Sequence, residues 1–385
     1  MSTPVRILAI DVGTGTQDIL LFESGRTIEN SLKLVMPSPT VIVAERIKRA
    51  TRLGQPVLLT GVTMGGGPCH WAARDHALAG YQVVVSEEAA RTFDDDLTQV
   101  EKMGFEVIDE AEAARRVEAH ALVHIEMQDF AAQAIITAFQ AFDVNPQVDA
   151  LAIAAFDHGA APPGVSDRRF RFDFIEETVR RVPLPGAFAY LATQTPPSLT
   201  RLRAVASSAA RYIELSGSRP NIPLLLMDTG SAAALGALED PLVRTQRDCI
   251  LCNIGNFHTL AFHLLAGQIV GTFEHHTGEI TRPHLEEMLI KLARGTLTND
   301  EVFNTSGHGA LVLQTSGERS QTLPFLAVTG PRRELLRGSA LKPYEAVPHG
   351  DMMVAGCYGL LRALADHVPT LASAIEPALL QREKS

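Results

Sequence analysis

The stretch LAIDVGTGTQDILLF, residues 8–22, is the strongest indication of the fold, because an apolar strand, a glycine-rich bend and another apolar strand follow one another. Gly13 and Gly15 can adopt backbone conformations that let N–H groups approach a ligand closely. With the hydroxyls of Thr14 and Thr16, such a bend forms a concavity that binds anions. Asp11, at the end of the strand, could hold Mg²⁺ through water. The alternative is an ordinary β-hairpin with a glycine turn.

A second stretch, ILCNIGNFHTLAFHLL at 250–265, repeats this pattern in the other half of the chain, with an asparagine where the first has Asp11. The residues of this second bend that could contact a phosphate are Asn253, Gly255, Asn256, His258 and Thr259. Taken alone, the histidine is equally typical of a packed or surface imidazole. The two bends together predict a strand–bend–strand unit that occurs once in each half.

Composition limits the class of protein. The 385 residues favour two domains, and 46% hydrophobic residues supply material for a large core. The net charge of −10 argues against a nucleic-acid-binding protein, which usually carries a basic patch. We expect neither a signal peptide nor a membrane span, and therefore a cytoplasmic protein. Cys249 and Cys252 form a C-x-x-C spacing within a predicted strand, where they point to opposite faces and are more typical of buried core than of a metal pair.

Apolar runs alternate with helical patterns along the first half, which indicates an α/β architecture. Three strands joined by short turns come first, and we predict that they form an antiparallel edge on one largely parallel sheet. The strand–bend–strand pattern restarts after the run PLLLMDTG, 223–230. We therefore predict two domains, at 1–228, with inserted helices and a loop, and at 229–385.

Three further loops and one helix have residue patterns that indicate a binding site or a close packing contact. TGVTMGGGP, 60–68, exposes backbone N–H groups of Gly65, Gly66 and Gly67 at a helix N-terminus, although it is neither a P-loop nor a dinucleotide fingerprint. Asp157 could polarise a water or a hydroxyl, with His158 as a proton shuttle, or the pair could simply end a strand. LAVTGPRREL, 326–335, places Thr329, Gly330, Pro331 and Arg332 between a strand and a helix. HGDMMVAGCYGLL, 349–361, predicts a glycine-containing helix that packs closely.

These motifs carry a resemblance. Two such bends and a late strand–glycine–helix turn are similar to the superfamily of actin, sugar kinases and heat-shock-protein-70 ATPases, in which Asp-x-Gly-Thr-x-Thr is the first phosphate loop. Asp11, Gly13, Thr14 and Thr16 match that loop position by position, whereas Asn253, Gly255 and His258 match the second loop only in part. The set MGGGP, DHG, NIGNFHT, TGPRR and HGDMM resembles a family often labelled pyruvate formate-lyase activating enzyme.

The resemblance implies an α/β fold with two actin-like, ribonuclease H-like domains around a nucleotide cleft that holds ATP and Mg²⁺. Asp11 would orient the metal and serve catalysis together with Asp157 and His158. The residues expected to hold the nucleotide are Gly13, Thr14, Gly15, Thr16, Gln17, Gly65, Gly66, Gly67, Asn253, Gly255, Asn256, His258, Thr259, Thr329, Gly330, Pro331 and Arg332.

Three functions are compatible with this fold. The first is a Mg-dependent phosphotransferase for a small-molecule acceptor, or an ATPase. The second is an ATPase that activates a partner iron–sulfur or radical enzyme, for which Cys69 or Cys357 at a dimer interface would be the candidate cluster ligands. The third is a module that binds nucleotide without turnover. A radical S-adenosylmethionine activase is not expected, because the four cysteines lack C-x-x-x-C-x-x-C spacing.

Overall fold

A computed structural model describes residues 4–313 and 323–380. Its strands are β1 (Arg6–Val12), β2 (Thr16–Glu23), β3 (Leu32–Pro37), β4 (Val57–Gly61), β5 (Val83–Ser86), β6 (Phe105–Ile108), β7 (Val123–Met127), β8 (Ala150–Ala155), β9 (Ala189–Leu191), β10 (Leu224–Met227), β11 (Asp248–Ile254), β12 (His258–Leu265), β13 (Gln268–His276), β14 (Gly307–Val312), β15 (Phe325–Thr329) and β16 (Tyr344–Glu345).

The α-helices are α1 (Pro39–Arg52), α2 (Pro68–Leu78), α3 (Glu87–Ala90), α4 (Leu97–Lys102), α5 (Glu110–Glu118), α6 (Ala132–Ala141), α7 (Asp167–Arg181), α8 (Thr200–Ser216), α9 (Thr229–Ala237), α10 (Pro241–Arg244), α11 (Arg282–Arg294), α12 (Asn299–Phe303), α13 (Ala355–His367) and α14 (Pro369–Leu380). Short 3₁₀ turns join several of these elements.

The first sheet is built on the quoted stretch at 8–22. Its strand order is β3-β2-β1-β8-β10-β9. The first three strands pair antiparallel, and β8 and β10 then continue in parallel with β1. Both faces of this sheet are buried, one against α9, α13 and α14 and the other against α6 and α8. Because both faces are covered, β1 is an almost continuous apolar run rather than an alternating one.

The second sheet has the order β14-β13-β12-β11-β15-β16, and its strands β13-β12-β11-β15-β16 repeat the topology of β3-β2-β1-β8-β10. The sheets differ at one edge each, where β9 is antiparallel to β10 and β14 is antiparallel to β13. Here β11, β12, β13 and β14 pair antiparallel, and β15 and β16 extend the sheet in parallel with β11. Cys249 and Cys252 of β11 lie in the cores on opposite faces, as predicted. The predicted fold class, two actin-like α/β domains, is therefore confirmed by the repeated topology.

The prediction that the strands of the first half share one largely parallel sheet is wrong. Strands β4 to β7 form a separate parallel sheet with the order β6-β5-β4-β7, which is inserted in the chain between β3 and β8. This sheet has its own hydrophobic core, to which α1 and α2 contribute. Local alternation of strands and helices indicates the fold class but carries no information on which strands share a sheet. The insertion places the loop at residues 64–67, called the MGGG loop below, beside the first bend.

Helix α13 returns from the second half of the chain to pack on the first sheet and on α9. The predicted boundary at 228/229 stays a prediction, since the first sheet ends at Met227 while α13 and α14 pack against it. Within the described residues, no helix is long and apolar enough to cross a membrane.

Candidate functional site

The two bends lie opposite each other, and both line one cavity between the two sheets. Each is closed by a single backbone hydrogen bond: Gly13 N–H donates to the Thr16 carbonyl, and Gly255 N–H donates to the His258 carbonyl, both at 2.9 Å. The tips come into contact, because a Cβ on Gly15 would lie 2.6 Å from Asn256 Nδ2. The structure therefore brings together two loops that are far apart in the sequence.

The backbone of both tips has unused donors. In residues 4–313 and 323–380, the N–H groups of Thr14, Gly15, Asn256 and Phe257 donate no hydrogen bond. Backbone N–H groups that converge on one point form an anion-binding concavity. Thr14, Asn256 and Phe257 line the cavity, whereas Gly15 lies at the contact between the two tips and outside the lining. Free donors on both loops suit a ligand with several phosphate oxygens.

A pair of buried carboxylates lies beside the first tip. Asp11 and Asp18 face each other across β1 and β2, and both line the cavity. Thr229 Oγ1 donates to Asp11 Oδ1 at 2.6 Å, while Asp18 Oδ1 has no hydrogen-bond partner in the part of the chain that the structure describes. Burial raises the pKa of Asp11 to about 7. Burial, with the nearby Asp11 charge, raises the pKa of Asp18 to about 8.

This acidic pair was only half predicted. Sequence reasoning identified Asp11 and missed Asp18, although an acid within the otherwise apolar run QDILLF was a visible signal. Two raised carboxyl pKa values at one place mark a site that would be stabilised by a bound cation. Gly356 of α13 closes the site from the other side, since a Cβ there would overlap the Asp11 carboxylate.

The opposite wall of the cavity comes from the loop after β15. Thr329, Gly330 and Pro331 line it as predicted, but the arginine in the lining is Arg333 rather than Arg332. Gly330 has a φ of +94°, and its close approach to the Ile254 carbonyl leaves no room for a Cβ. The loop therefore lies directly against the second bend.

Two predicted residues point away from the cavity. Gln17 is buried and donates from Nε2 to the Pro37 carbonyl at 3.0 Å. Thr259 is fully buried, with its hydroxyl 2.9 Å from that of Thr277. Neither residue is part of the cavity lining. Because successive residues of a strand face opposite sides, a residue next to a functional one often belongs to the core.

A second cavity meets the first at the bends. The residues that the two cavities share are Gly13, Thr14, Phe156, Arg201, Phe257 and His258. The second cavity extends to the MGGG loop, Asp157 and His158. Asp157 is buried, and its two oxygens accept hydrogen bonds from Gly159 N–H at 2.8 Å and Leu202 N–H at 2.9 Å. These bonds hold the loop and the first turn of α8, while His158 is exposed to the cavity.

Arg201 was not predicted, yet it lies where the two cavities meet. Its guanidinium forms a two-point ion pair with buried Asp129, at 2.7 and 3.0 Å, and donates to the Phe156 carbonyl at 2.6 Å. The Asp129 carboxylate also accepts the Gly65 N–H. This planar two-point geometry orients the arginine rigidly. The arginine is therefore fixed between the MGGG loop and the hairpin tips, with its charge balanced by Asp129.

A buried ion-pair group joins the two halves of the protein. Arg171 of α7 contacts Glu274 of β13 through two nitrogens at 2.8 and 3.1 Å, and Asp228 at 2.8 Å. Burial opposes ionisation of Glu274, but the charge and hydrogen bonds of Arg171 outweigh it and lower the Glu274 pKa. Burial raises the pKa of Asp228, which the arginine offsets only in part. The guanidinium also lies 4.5 Å from the centre of the Phe156 ring.

Three histidines meet next to this group. One candidate ligand atom from each of His258, His276 and His308 lies within 4.8 Å of the others. The His258 ring stacks on Phe156, with centroids 3.9 Å apart. Burial lowers the pKa of all three imidazoles, which favours their neutral form. Sequence reasoning gave His258 a phosphate-binding role and missed the other two, which lie 18 and 50 residues further along the chain.

The cysteines are unsuited to bind a cluster. Cys69 and Cys357 are fully buried, and burial raises the pKa of both thiols. Cys69 Sγ donates to the Gly65 carbonyl at 3.3 Å and Cys357 Sγ to the Asp18 carbonyl at 3.1 Å. Buried thiols of this kind are unreactive core residues. The suggestion that they lie at a dimer surface is wrong, because both pack inside the protein.

Several solved structures are similar to this chain. Solved structures similar to the chain include a type IV pilus biogenesis complex of PilM and PilN, at 13% identity and TM-score 0.40, covering 94% of this chain and 99% of that chain. The ethanolamine utilization protein EutJ from Carboxydothermus hydrogenoformans matches at 13% identity and TM-score 0.30, covering 94% and 90%. A protein from Listeria monocytogenes described as an N-acetylmannosamine kinase matches at 10% identity and TM-score 0.35, covering 94% and 99%.

No relative among the curated proteins matches the sequence. A family model does match, and it covers most of the chain, from residue 64 to residue 335. The resemblance that the loops carry is thus confirmed, and the chain belongs to the family described as "Putative pyruvate format-lyase activating enzyme (DUF1786)".

Proposed function

We propose that the protein binds ATP with Mg²⁺ between its two sheets and transfers the terminal phosphoryl group to a small-molecule acceptor. The observation that carries this proposal is the meeting of two glycine bends whose four free N–H groups lie beside a buried acidic pair. Phosphoryl transfer depends chiefly on positioning and on electrostatic stabilisation, which such groups supply. The donor set fits a polyphosphate at the two bends with a cation next to it at the acidic pair.

Each wall of the cavity would bind a different part of Mg·ATP. The N–H groups at Thr14–Gly15 and Asn256–Phe257 would bind phosphate oxygens, and the loop around Gly330 would face the adenosine. Asp11 would hold Mg²⁺, and bound Mg²⁺ would neutralise charge on the phosphates. Arg201, at the meeting point of the cavities, would stabilise the terminal phosphate.

The second cavity favours a kinase over a simple ATPase, because it offers space for an acceptor next to the phosphate end. An acceptor there would lie between the MGGG loop and His158. Asp157 is better suited to positioning this wall than to acting as a base, since both of its oxygens already accept backbone hydrogen bonds. The iron–sulfur activator alternative is disfavoured by the burial of Cys69 and Cys357.

A second candidate is a module that binds nucleotide without turnover. It is favoured by one observation, that the second bend carries Asn253 instead of a carboxylate, with its Oδ1 accepting from Thr329 Oγ1 at 3.2 Å. On that side of the cavity the carboxylate in the lining is Glu274, which Arg171 already engages. Binding and turnover must therefore be measured separately.

Calorimetric titration of Mg·ATP into the native chain and into Asp11→Asn tests the proposal. We expect the native chain to bind and the variant to lose about 1–3 kcal/mol of binding free energy, the scale of a lost charged contact. Asp173→Asn is the matched control, because Asp173 is exposed on α7 and forms no hydrogen bond within residues 4–313 and 323–380. ADP release would then be followed with a panel of sugars and polyols.

The outcomes separate the candidates. Acceptor-dependent ADP release supports a kinase, and binding without release supports the module. If the native chain binds neither ATP, ADP nor GTP, the nucleotide site is wrong and the bends are structural hairpins.

A further inference from the structure

The register of the second sheet brings three histidines to one place. His258 begins β12 and His276 ends β13, and the two are directly paired across these strands. His308 lies on β14, the next strand of the sheet, in the stretch that pairs with the end of β13. The ring centroids are 5.0, 5.1 and 4.6 Å apart in the three pairs. Three consecutive strands of one sheet therefore each contribute one imidazole.

We propose that His258, His276 and His308 form a binding site for a first-row divalent transition-metal ion, of which Zn²⁺ is the simplest case. Their candidate ligand atoms already lie within 4.8 Å of one another. Bound Zn²⁺ takes imidazole nitrogens at about 2.0–2.1 Å, so small side-chain rotations would complete the site. Imidazole also suits Ni²⁺, Cu²⁺ and Fe²⁺.

Hydrogen bonding distinguishes these histidines from their neighbours. His275 and His263, on the same strands, use ring nitrogens in hydrogen bonds, to the His276 carbonyl at 3.0 Å and to Asp248 at 2.7 Å. In contrast, the rings of His258 and His276 have no hydrogen bond within the described ranges, and buried His308 Nδ1 has none there either. Buried polar atoms without partners call for an explanation such as an ion.

The surroundings support a cation. Glu274 Oε2 lies 3.7 Å from His308 Nδ1, too far for a hydrogen bond but close enough for its negative charge to favour a cation among the three rings. Arg171 is positive, but Glu274 and Asp228 contact it directly, so the group as a whole carries no net positive charge. The stack of His258 on Phe156 restrains the ring that faces the cleft.

Three protein ligands leave one coordination position open, as in catalytic zinc sites. His258 lines both cavities, so the open position would be on the side of the cleft. An ion there could bind a water or an oxygen of a ligand in the cleft. This site is separate from the acidic pair at Asp11, which offers carboxylates suited to Mg²⁺.

The test is metal binding by the full chain. The protein is stripped with a strong chelator and titrated with Zn²⁺ in competition with a chromophoric chelator, and Co²⁺ is added in parallel to record its visible spectrum. We expect one ion for each chain and a cobalt spectrum typical of nitrogen ligands without thiolate. His276→Asn should weaken Zn²⁺ binding by about 100-fold or more, since even outer partners of metal ligands contribute about 10–100-fold.

His276 is only partly buried, so its variant is the safer one, and His308→Asn gives a second test. His124→Ala, at an exposed position of β7, is the control and should bind Zn²⁺ like the native chain. Substoichiometric binding by the native chain would overturn the proposal, as would unchanged affinity in folded His276→Asn. Calorimetric titration of Mg·ATP into the chain stripped of transition metal tests the nucleotide site separately. The nucleotide site can fail while the histidine site binds Zn²⁺, and the histidine site can fail while Mg·ATP binds.

Discussion

Two carboxylates with raised pKa values are the clearest chemical signal at the residue scale. Asp11 and Asp18 face each other on paired strands, and no positive side chain contacts either carboxylate in the ranges that the structure describes. Burial without a counter-charge disfavours the ionised form. Such a pair is unfavourable for the ligand-free protein and favourable once a cation binds. We interpret this unfavourable free energy of the ligand-free protein as a feature of a site that binds a cation.

The first prediction concerns Asp18, whose pKa is raised from 3.8 to about 8. Because the folded chain binds this proton more tightly than the unfolded chain, stability without Mg²⁺ falls as the pH rises from about 4 to about 8. Asp18→Asn removes this contribution, so we expect the variant to be more stable than the native chain at pH 8. The measurement is the urea midpoint at pH 5 and pH 8, with Asp173→Asn as control. A pH dependence identical to that of the native chain would refute the assignment.

At the scale of elements, the contact between α9 and α13 holds the C-terminal helices on the first sheet. Gly236 of α9 lies against the Ala355 carbonyl, and Gly359 of α13 lies against the Ala232 carbonyl, so a Cβ at either would overlap backbone. Two glycines, one on each helix, allow this close approach. The sequence predicted that the stretch 349–361 contains a closely packed helix, and α13, which begins at Ala355, is that helix.

Gly236→Ala tests this contact. Overpacking a close contact costs about 1–3 kcal/mol, which exceeds the roughly 1 kcal/mol that alanine gains over glycine in a helix. We therefore expect a lower urea midpoint. Gly278→Ala is the control, because Gly278 has open space around its Cβ position and needs no positive φ. Equal stability of Gly236→Ala and the native chain would show that the helices can move apart freely.

At the scale of the whole molecule, the Arg171 ion-pair group connects the two sheets. Asp228 directly follows β10 of the first sheet, whereas Glu274 lies on β13 of the second sheet and Arg171 lies on α7, which packs on the core of the second sheet. All three residues are buried. Removing one partner of a buried ion pair leaves a charge uncompensated. The group therefore restricts how the two sheets are arranged around the cleft.

Arg171→Met should destabilise the protein by about 3–5 kcal/mol, because it leaves Glu274 buried without its counter-charge. The double variant Arg171→Met with Glu274→Gln should recover part of this loss. Urea unfolding of both single variants and the double variant gives the coupling free energy. Strictly additive effects would mean that the two side chains do not interact.

The chain's single tryptophan offers a readout for the whole cleft. Trp71, on α2 of the inserted sheet, is 51% exposed, and its ring lies 5.6 Å from that of Phe257 at the second hairpin tip. If nucleotide binds at that tip, we expect Mg·ATP to change the tryptophan emission, with a smaller change in Phe257→Leu. Fluorescence titration compared with calorimetry is the measurement. Calorimetric binding with unchanged emission would place the nucleotide elsewhere.

Local chemistry was readable from the sequence alone. Glycines between apolar runs specify tight bends, and an acid after a strand specifies a polar end, because these preferences act between neighbouring residues. The two strand–bend–strand units, the α/β class and the positions of Asp11, Gly13 and Gly330 were therefore predictable.

Tertiary structure decided the rest. Strand order assigned β4 to β7 to their own sheet, and strand register joined His258 to His276 and His308. Strand register also directs the side chains of Gln17 and Thr259 into the core. The tertiary structure brings Arg201 to the cleft. Contacts between residues far apart in the chain depend on how whole sheets pair and pack, and no local pattern of residues encodes that arrangement.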